Sequence, residues 1–215
     1  MLAICQENKQ KLKFLENEVL IPMPDWTGNN NSIFKGLGAS NHSVEIRADN
    51  DYYATSPVAA EWLLKLEDLA PSIWECACGA GHISKVLEAG GKSVLSSDLV
   101  DHEYGIPFMD FLKIKKIVDN QIVEWNGDIV TNPPYKYAKE FVEKAIDLIY
   151  DKGKVCMFLK IQFLESNGRK ELFDKHPPRT VYVSRNRIPC AKNGDFDALD
   201  GSAVCYCWYV WEKNF

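Results

Sequence analysis

The sequence predicts an α/β fold: a Rossmann-like, doubly wound, mostly parallel sheet that ends in an antiparallel hairpin. Three observations predict it. From residue 51 onward, strand-like apolar runs alternate with amphipathic helical stretches. A strand, the glycines of Gly79-Ala-Gly81 and a helix follow in that order, and Asp98 closes the next strand about twenty residues on, the order of nucleotide-binding folds. Finally, the strand patterns over 180–184 and 203–211 have no helix between them, which suits a terminal antiparallel pair.

The 215 residues suit one domain with a full core, preceded by a smaller segment. Residues 1–50 read as that segment: a helix over about 1–20, then a flexible Pro, Gly, Asn and Ser loop. Residues 51–215 read as the folded domain. No run of 18 apolar residues occurs and the first residues lack a secretory pattern, so a soluble, cytoplasmic protein without membrane contact is expected. Seven cysteines, an odd number, fit a reducing compartment. Cys76, Cys78, Cys205 and Cys207 are expected to be small apolar core residues, with no metal. The net charge of −5 argues against indiscriminate coating of nucleic acid. Residues 152–192, however, hold ten Lys and Arg against three acids, the footprint of a phosphate-facing surface.

Along the chain, Thr55 or Ser56 caps a helix with Pro57 as its first residue, and Val58, Trp62, Leu63, Leu66 and Leu69 form its apolar stripe. The strand before Gly79 leads into a helix with Ile83, Val86 and Leu87 inward, and 92–98 is the next strand. Residues 113–116 and 121–127 read as surface helix and loop. Residues 138–149 form an amphipathic helix ended by Gly153, and 154–164 is an apolar run suited to a strand buried on both faces. A short helix over 169–175 follows. The connection 185–202 is long for a hairpin, and long loops in compact domains are usually functional.

Chemistry centres on Asp128-Ile-Val-Thr-Asn-Pro-Pro-Tyr135, a strand running into a stiff turn. Pro133 and Pro134 fix φ and cannot extend a ladder, and Asn132 is pushed towards an extended backbone. At the carboxyl end of a strand, the Asn132 amide, the Pro133 carbonyl and the Tyr135 ring offer two acceptors and a stacking face to a planar, amine-bearing substrate.

Asn132-Pro133-Pro134-Tyr135 resembles the hallmark of amino methyltransferases that use S-adenosylmethionine. The likeness spans about 52–211 and is most detailed to the small adenine-N6 DNA methyltransferases of phages and prophages, which share the Asp-Tyr-Tyr-Ala-Thr and Thr-Asn-Pro-Pro-Tyr stretches. It implies a class I methyltransferase fold, S-adenosylmethionine as cofactor, and double-stranded DNA as partner with the target adenine flipped out of the stack. It also implies site residues. Asn132, Pro133, Pro134 and Tyr135 would be catalytic. Tyr53 and Thr55 match a helix lead-in that touches the methionine end of the cofactor. Glu75, Cys76, Ala77, Gly79 and Gly81 resemble the cofactor loop, with Glu75 and Cys76 replacing Asp and Pro. Asp98, with Leu99 beside it, would hold the ribose, and Asp110 and Phe111 the adenine. Apart from the resemblance, Phe196, and more weakly Phe163, are the candidates to stack on the substrate, and Arg169, Arg185, Arg187 and Lys192 of the basic segment would face its phosphates. One departure is that no insertion is large enough for a separate target-recognition domain. Structured RNA is the first alternative substrate. A protein glutamine side chain and a noncatalytic methyltransferase-like subunit are the others.

Overall fold

The computed structural model describes residues 2–5, 52–118, 121–122, 124–192, 194, 196 and 204–215. In chain order these form β1 (Leu2–Cys5), β2 (Tyr53–Thr55), α1 (Pro57–Leu66), β3 (Ser72–Glu75), α2 (His82–Ala89), β4 (Ser93–Ser96), β5 (Ile117–Val118) and β6 (Gln121–Ile122). Then come β7 (Asp128–Thr131), α3 (Ala138–Leu148), β8 (Lys154–Lys160), α4 (Lys170–Lys175), β9 (Thr180–Val183), β10 (Cys190–Lys192) and β11 (Tyr206–Glu212).

Among the described residues, seven strands make the central sheet, in the order β1-β9-β11-β8-β7-β3-β4. β4, β3, β7 and β8 run parallel, while β11 lies antiparallel between β8 and β9. The expected terminal antiparallel pair is therefore present, with its second strand inserted beside β8. The chain moves outward from β3 to β4 and then returns to β7 on the other side of β3. That reversal opens a crevice at the carboxyl ends of β3 and β7, where open α/β sheets bind ligands.

Two apolar layers hold the sheet. On one face Phe141, Val142 and Ala145 of α3 pack on Ile129, Val155, Met157, Tyr209 and Trp211. On the other, Leu63 of α1 and Ile83 and Leu87 of α2 pack on Ile73, Val130, Cys156, Phe158, Trp208 and Val210. Successive β8 side chains thus enter opposite layers, which is why that strand is apolar throughout.

Several expectations are corrected. Residues 2–5 are a strand paired with β9, not a helix, because this apolar run can extend the sheet edge through backbone hydrogen bonds. The remainder of the helix expected over 1–20, and the loop expected over 22–50, lie outside the described residues. In α1 the buried face is Ala59, Ala60 and Leu63, while Val58 and Trp62 are 45% and 40% exposed. The small alanines let the helix approach the sheet, and the Trp208 indole N–H donates to the Ala59 carbonyl at 2.8 Å. Ser56 occupies the N-cap position without a side-chain cap bond. Residues 161–164 leave the strand as a 3₁₀ turn, with the Tyr209 hydroxyl donating to the Ile161 carbonyl at 3.0 Å. α3 stops at Leu148, before Gly153, because Ile149 turns extended and bridges Trp125. The segment before β7 holds a 3₁₀ turn over Phe111–Lys113 and the antiparallel pair β5–β6, in place of a surface helix.

The basic surplus is partly spent inside the molecule. Glu67, buried near the amino end of β8, receives Lys154 at 2.9 Å, Arg179 at 2.6 Å and the Tyr182 hydroxyl at 2.7 Å. Burial opposes the charge on Glu67, but these donors outweigh it and hold its carboxyl below the usual range. Lys170 and Lys175 pair along α4 with Asp174 and Glu171.

Candidate active site

Beyond β3 the chain turns through Gly79 and Gly81, both at positive φ, 50° and 78°. A side chain at Gly79 would collide with the Tyr52 ring, and one at Gly81 with the Tyr104 ring. Glycine is therefore required for conformation and for space together. Glu75 is 1% exposed and accepts the Ser84 N–H at 2.8 Å as well as the Ser84 hydroxyl, in the first turn of α2. Ser84 in turn lies 2.6 Å from the Ser96 hydroxyl. Burial raises the Glu75 carboxyl to about 8, although the Ser84 bonds pull it down. Cys76 and Cys78 fall in the turn beyond β3 and are buried there, 2% and 5% exposed.

Asp98 lies two residues beyond β4, and its carboxylate accepts the Gly79 N–H at 2.8 Å and the Val100 N–H at 3.0 Å. Asp110 accepts the Leu112 N–H at 3.1 Å, capping the 3₁₀ turn at 111–113, and pairs with Lys113 at 3.0 Å. Phe111 is core, packed edge-on to Trp74 at 5.3 Å and face-on to Phe141 at 5.1 Å, and it also reaches the cavity wall.

At the end of β7, Asn132 is gripped from residues almost eighty positions earlier. Its Nδ2 donates to the Tyr53 carbonyl at 3.1 Å and to the Thr55 hydroxyl oxygen at 2.8 Å, with Cys190 Sγ at 3.9 Å. Asn132 Oδ1 is shielded from solvent and has no hydrogen-bond partner among the described residues. A lone buried acceptor costs about 1–3 kcal/mol, so this atom is poised for a donor. The Tyr135 ring lies 5.6 Å from Tyr53, 5.8 Å from Tyr206 and under the Lys160 ammonium at 4.8 Å. Burial pushes the Tyr135 hydroxyl well above its usual range, so this ring stays neutral.

A cavity of about 600 Å³ joins these parts, within the range of small-molecule sites. Tyr53, Thr55, Glu75, Cys76, Ala77, Asp98, Leu99, Asp110, Phe111, Asn132, Pro133, Pro134 and Tyr135 all line it, so residues expected at the cofactor loop and at the catalytic turn share one space. The structure also brings in Tyr52, His82, His102 and Met109, which the sequence reading missed. Tyr52 stacks on His102 at 4.5 Å. Only its place beside Tyr53 offered a signal.

The expected substrate-facing residues are dispersed. Phe163 packs in the core against Phe173 and Tyr209, its ring spent on that packing. Arg169 covers the Phe163 ring at 4.6 Å and donates to the carbonyls of Phe163 at 2.6 Å and Gln162 at 2.9 Å, which ties down its own turn. Phe196 contacts His82 at 5.4 Å, on the glycine-turn side rather than over Tyr135. Arg185 and Arg187 are exposed on the loop after β9. Lys192 ends β10, which pairs with β2, so part of the supposed long loop is a strand.

No protein-family model matches the chain, and no curated protein matches it either. Solved structures do. A candidate RNA methyltransferase of Pyrococcus horikoshii is similar at 13% identity, over 87% of this chain and 99% of that one, with a TM-score of 0.52. A protein from a structure concerned with converting a disulfide bond into a thioacetal group in echinomycin biosynthesis is similar at 11% identity, over 74% and 82%, with a TM-score of 0.55. A candidate hemolysin of Lactococcus lactis is similar at 10% identity, over 74% and 86%, with a TM-score of 0.51. With the sheet order above, these likenesses show the fold of class I methyltransferases.

Proposed function

We propose that this protein is an S-adenosylmethionine-dependent methyltransferase that methylates the exocyclic N6 amine of adenine in nucleic acid, with duplex DNA as the favoured substrate. The observation that carries the proposal is the Asn132 amide: its Nδ2 is anchored, its Oδ1 is buried without a partner among the described residues, and it lines one cavity with Glu75, Cys76 and Ala77, which lead into the glycine turn, and with Asp98. The residues present fit the cofactor. Glu75, Cys76 and Ala77, just before the glycine turn, line the cavity with Asp98, and Asp110 and Phe111 supply an acceptor and an apolar wall. When bound, S-adenosylmethionine supplies an electrophilic methyl group on a sulfonium.

The chain's part is to prepare the acceptor. An adenine amine is a weak nucleophile because its lone pair is delocalised into the ring. A hydrogen bond from one amine hydrogen to Asn132 Oδ1 and another to the Pro133 carbonyl would favour a pyramidal nitrogen and offset the charge that grows on it. Tyr135, on the same turn, supplies an aromatic face, and the stiff Pro133-Pro134 backbone keeps these groups aligned.

Structured RNA is the second reading, supported by the likeness to a candidate RNA methyltransferase. Transfer of labelled methyl groups to duplex DNA, structured RNA and a protein extract in parallel, followed by nucleoside mass spectrometry, tests both. N6-methyldeoxyadenosine upholds the first reading, and N6-methyladenosine in RNA alone upholds the second. Label in protein only, or in nothing, refutes both.

A further inference from the structure

We infer that Thr55 is a positioning residue for the acceptor side of the reaction, one that sets which end of the Asn132 amide faces the substrate; the inference rests on the reading of Asn132 given above. The resemblance placed Thr55 at the cofactor, but its hydroxyl oxygen takes the Asn132 Nδ2–H at 2.8 Å. The orientation of that amide follows from the chemistry of its neighbours. The Tyr53 carbonyl, 3.1 Å away, has no proton to give, so the atom facing it must be the NH₂ and not the oxygen. Reversing the amide would set two oxygens against each other there. It would also place an NH₂, useless to an amine donor, where Oδ1 now stands.

Thr55 is itself held. It is 3% exposed, its backbone pairs with Cys190 in the β2–β10 ribbon, and the Cys190 sulfur lies against its hydroxyl. The next residue continues the docking, since the Ser56 N–H donates to the Pro189 carbonyl at 3.3 Å. The segment before α1 and the segment after β9 therefore join to present two fixed acceptors to one amide. One is a backbone carbonyl, which no substitution removes. The other is the Thr55 hydroxyl, which a substitution does remove.

The experiment compares Thr55→Val, which keeps the shape and deletes the hydroxyl, with Thr55→Ser, which keeps the hydroxyl. Methyl transfer, S-adenosylmethionine affinity by calorimetry and exchange of the Asn132 side-chain amide protons by NMR are measured on the full chain. For Thr55→Val the expectation is a fall in kcat of about tenfold to a hundredfold, by analogy with the loss when the hydrogen-bond partner that orients a metal ligand is removed. Its cofactor affinity should stay within about twofold of the wild type, and the Asn132 amide protons should exchange faster. Thr55→Ser should regain most of the lost rate. A Thr55→Val kcat equal to the wild type, a loss confined to cofactor affinity, or equal impairment of both variants would overturn the inference. Should the wild type methylate nothing, the functional reading fails, and the amide exchange still decides the geometry: unchanged protection in folded Thr55→Val rejects the role of Thr55, and lost protection upholds it.

Discussion

The Asp98 carboxylate accepts the backbone N–H of Gly79 at 2.8 Å, joining the segment after β4 to the glycine turn after β3. With the bond from the Cys78 N–H to the Ser97 carbonyl at 3.0 Å, it braces the loop that approaches the cofactor in the functional reading. Asp98→Ala should therefore lower the thermal midpoint of the cofactor-free protein and weaken S-adenosylmethionine by about tenfold, roughly 1.4 kcal/mol. Calorimetry and a melting curve separate the two effects. An unchanged affinity with a lowered midpoint would leave Asp98 a brace only.

Asn132→Ala should reduce kcat by about 10²–10³, the usual loss when one preorganised hydrogen-bonding group is removed from a site of developing charge. Cofactor affinity should hardly change, because β2, which carries Tyr53 and Thr55, stays held by its pairing with β10 when the Asn132 bonds are removed. Turnover near the wild-type rate would dismiss the catalytic role.

Gly81→Ala places a side chain at φ 78° and against the Tyr104 ring. The conformational cost alone is about 1–2 kcal/mol. The variant should melt several degrees lower and bind S-adenosylmethionine more weakly. Gly91→Ala is the control, since it has a similar φ of 83° with nothing near the added carbon, and it should lose stability without losing affinity.

Glu75 gives stability a pH dependence of definite sign. Burial raises its folded carboxyl to about 8, whereas an unfolded glutamate titrates at about 4.3. The folded protein thus keeps a proton that the unfolded chain releases. Its contribution is complete below the unfolded value and is lost as pH rises towards about 8. Glu75→Gln should flatten denaturant stability across that window. An unaltered pH profile would show that Glu75 is ionised in the fold.

Glu67 carries the opposite sign. Lys154, Arg179 and Tyr182 overcome its burial and hold its carboxyl low, so its contribution is present above the unfolded value and disappears as pH falls through the folded one. Glu67→Ala removes the shared partner of Lys154 and Arg179, of which Arg179 keeps Glu212 at 3.1 Å, and should cost about 1–3 kcal/mol in urea titration. A loss below about 1 kcal/mol would place this cluster among the weak surface pairs.

The sequence alone determined the doubly wound class, through the apolar strands, the glycine turn at Gly79 and Gly81 and the amphipathic stripe of α3. It also marked the stiff turn after β7, because Pro133 and Pro134 restrict their own backbone wherever they occur. Such signals are local. The face of α1 that turns inward was misread because Val58 and Trp62 are as apolar as their neighbours, and only the close approach at Ala59 and Trp208 selects the face. Residues 2–5 pair with a strand almost 180 positions away, which periodicity cannot express.

What only the tertiary structure decided is which groups are still available. Arg169 and Phe163 have the chemistry of a substrate surface, yet they are spent on their own turn and on the core. Asn132 has the chemistry of a surface amide, yet Thr55 and Tyr53 take its donor end and leave Oδ1 unpaired. Residue type fixes what a side chain is able to bond. Which bond it makes depends on neighbours that the crossing of β3, β7 and the β2–β10 ribbon brings within about 3 Å, the range over which hydrogen bonds act.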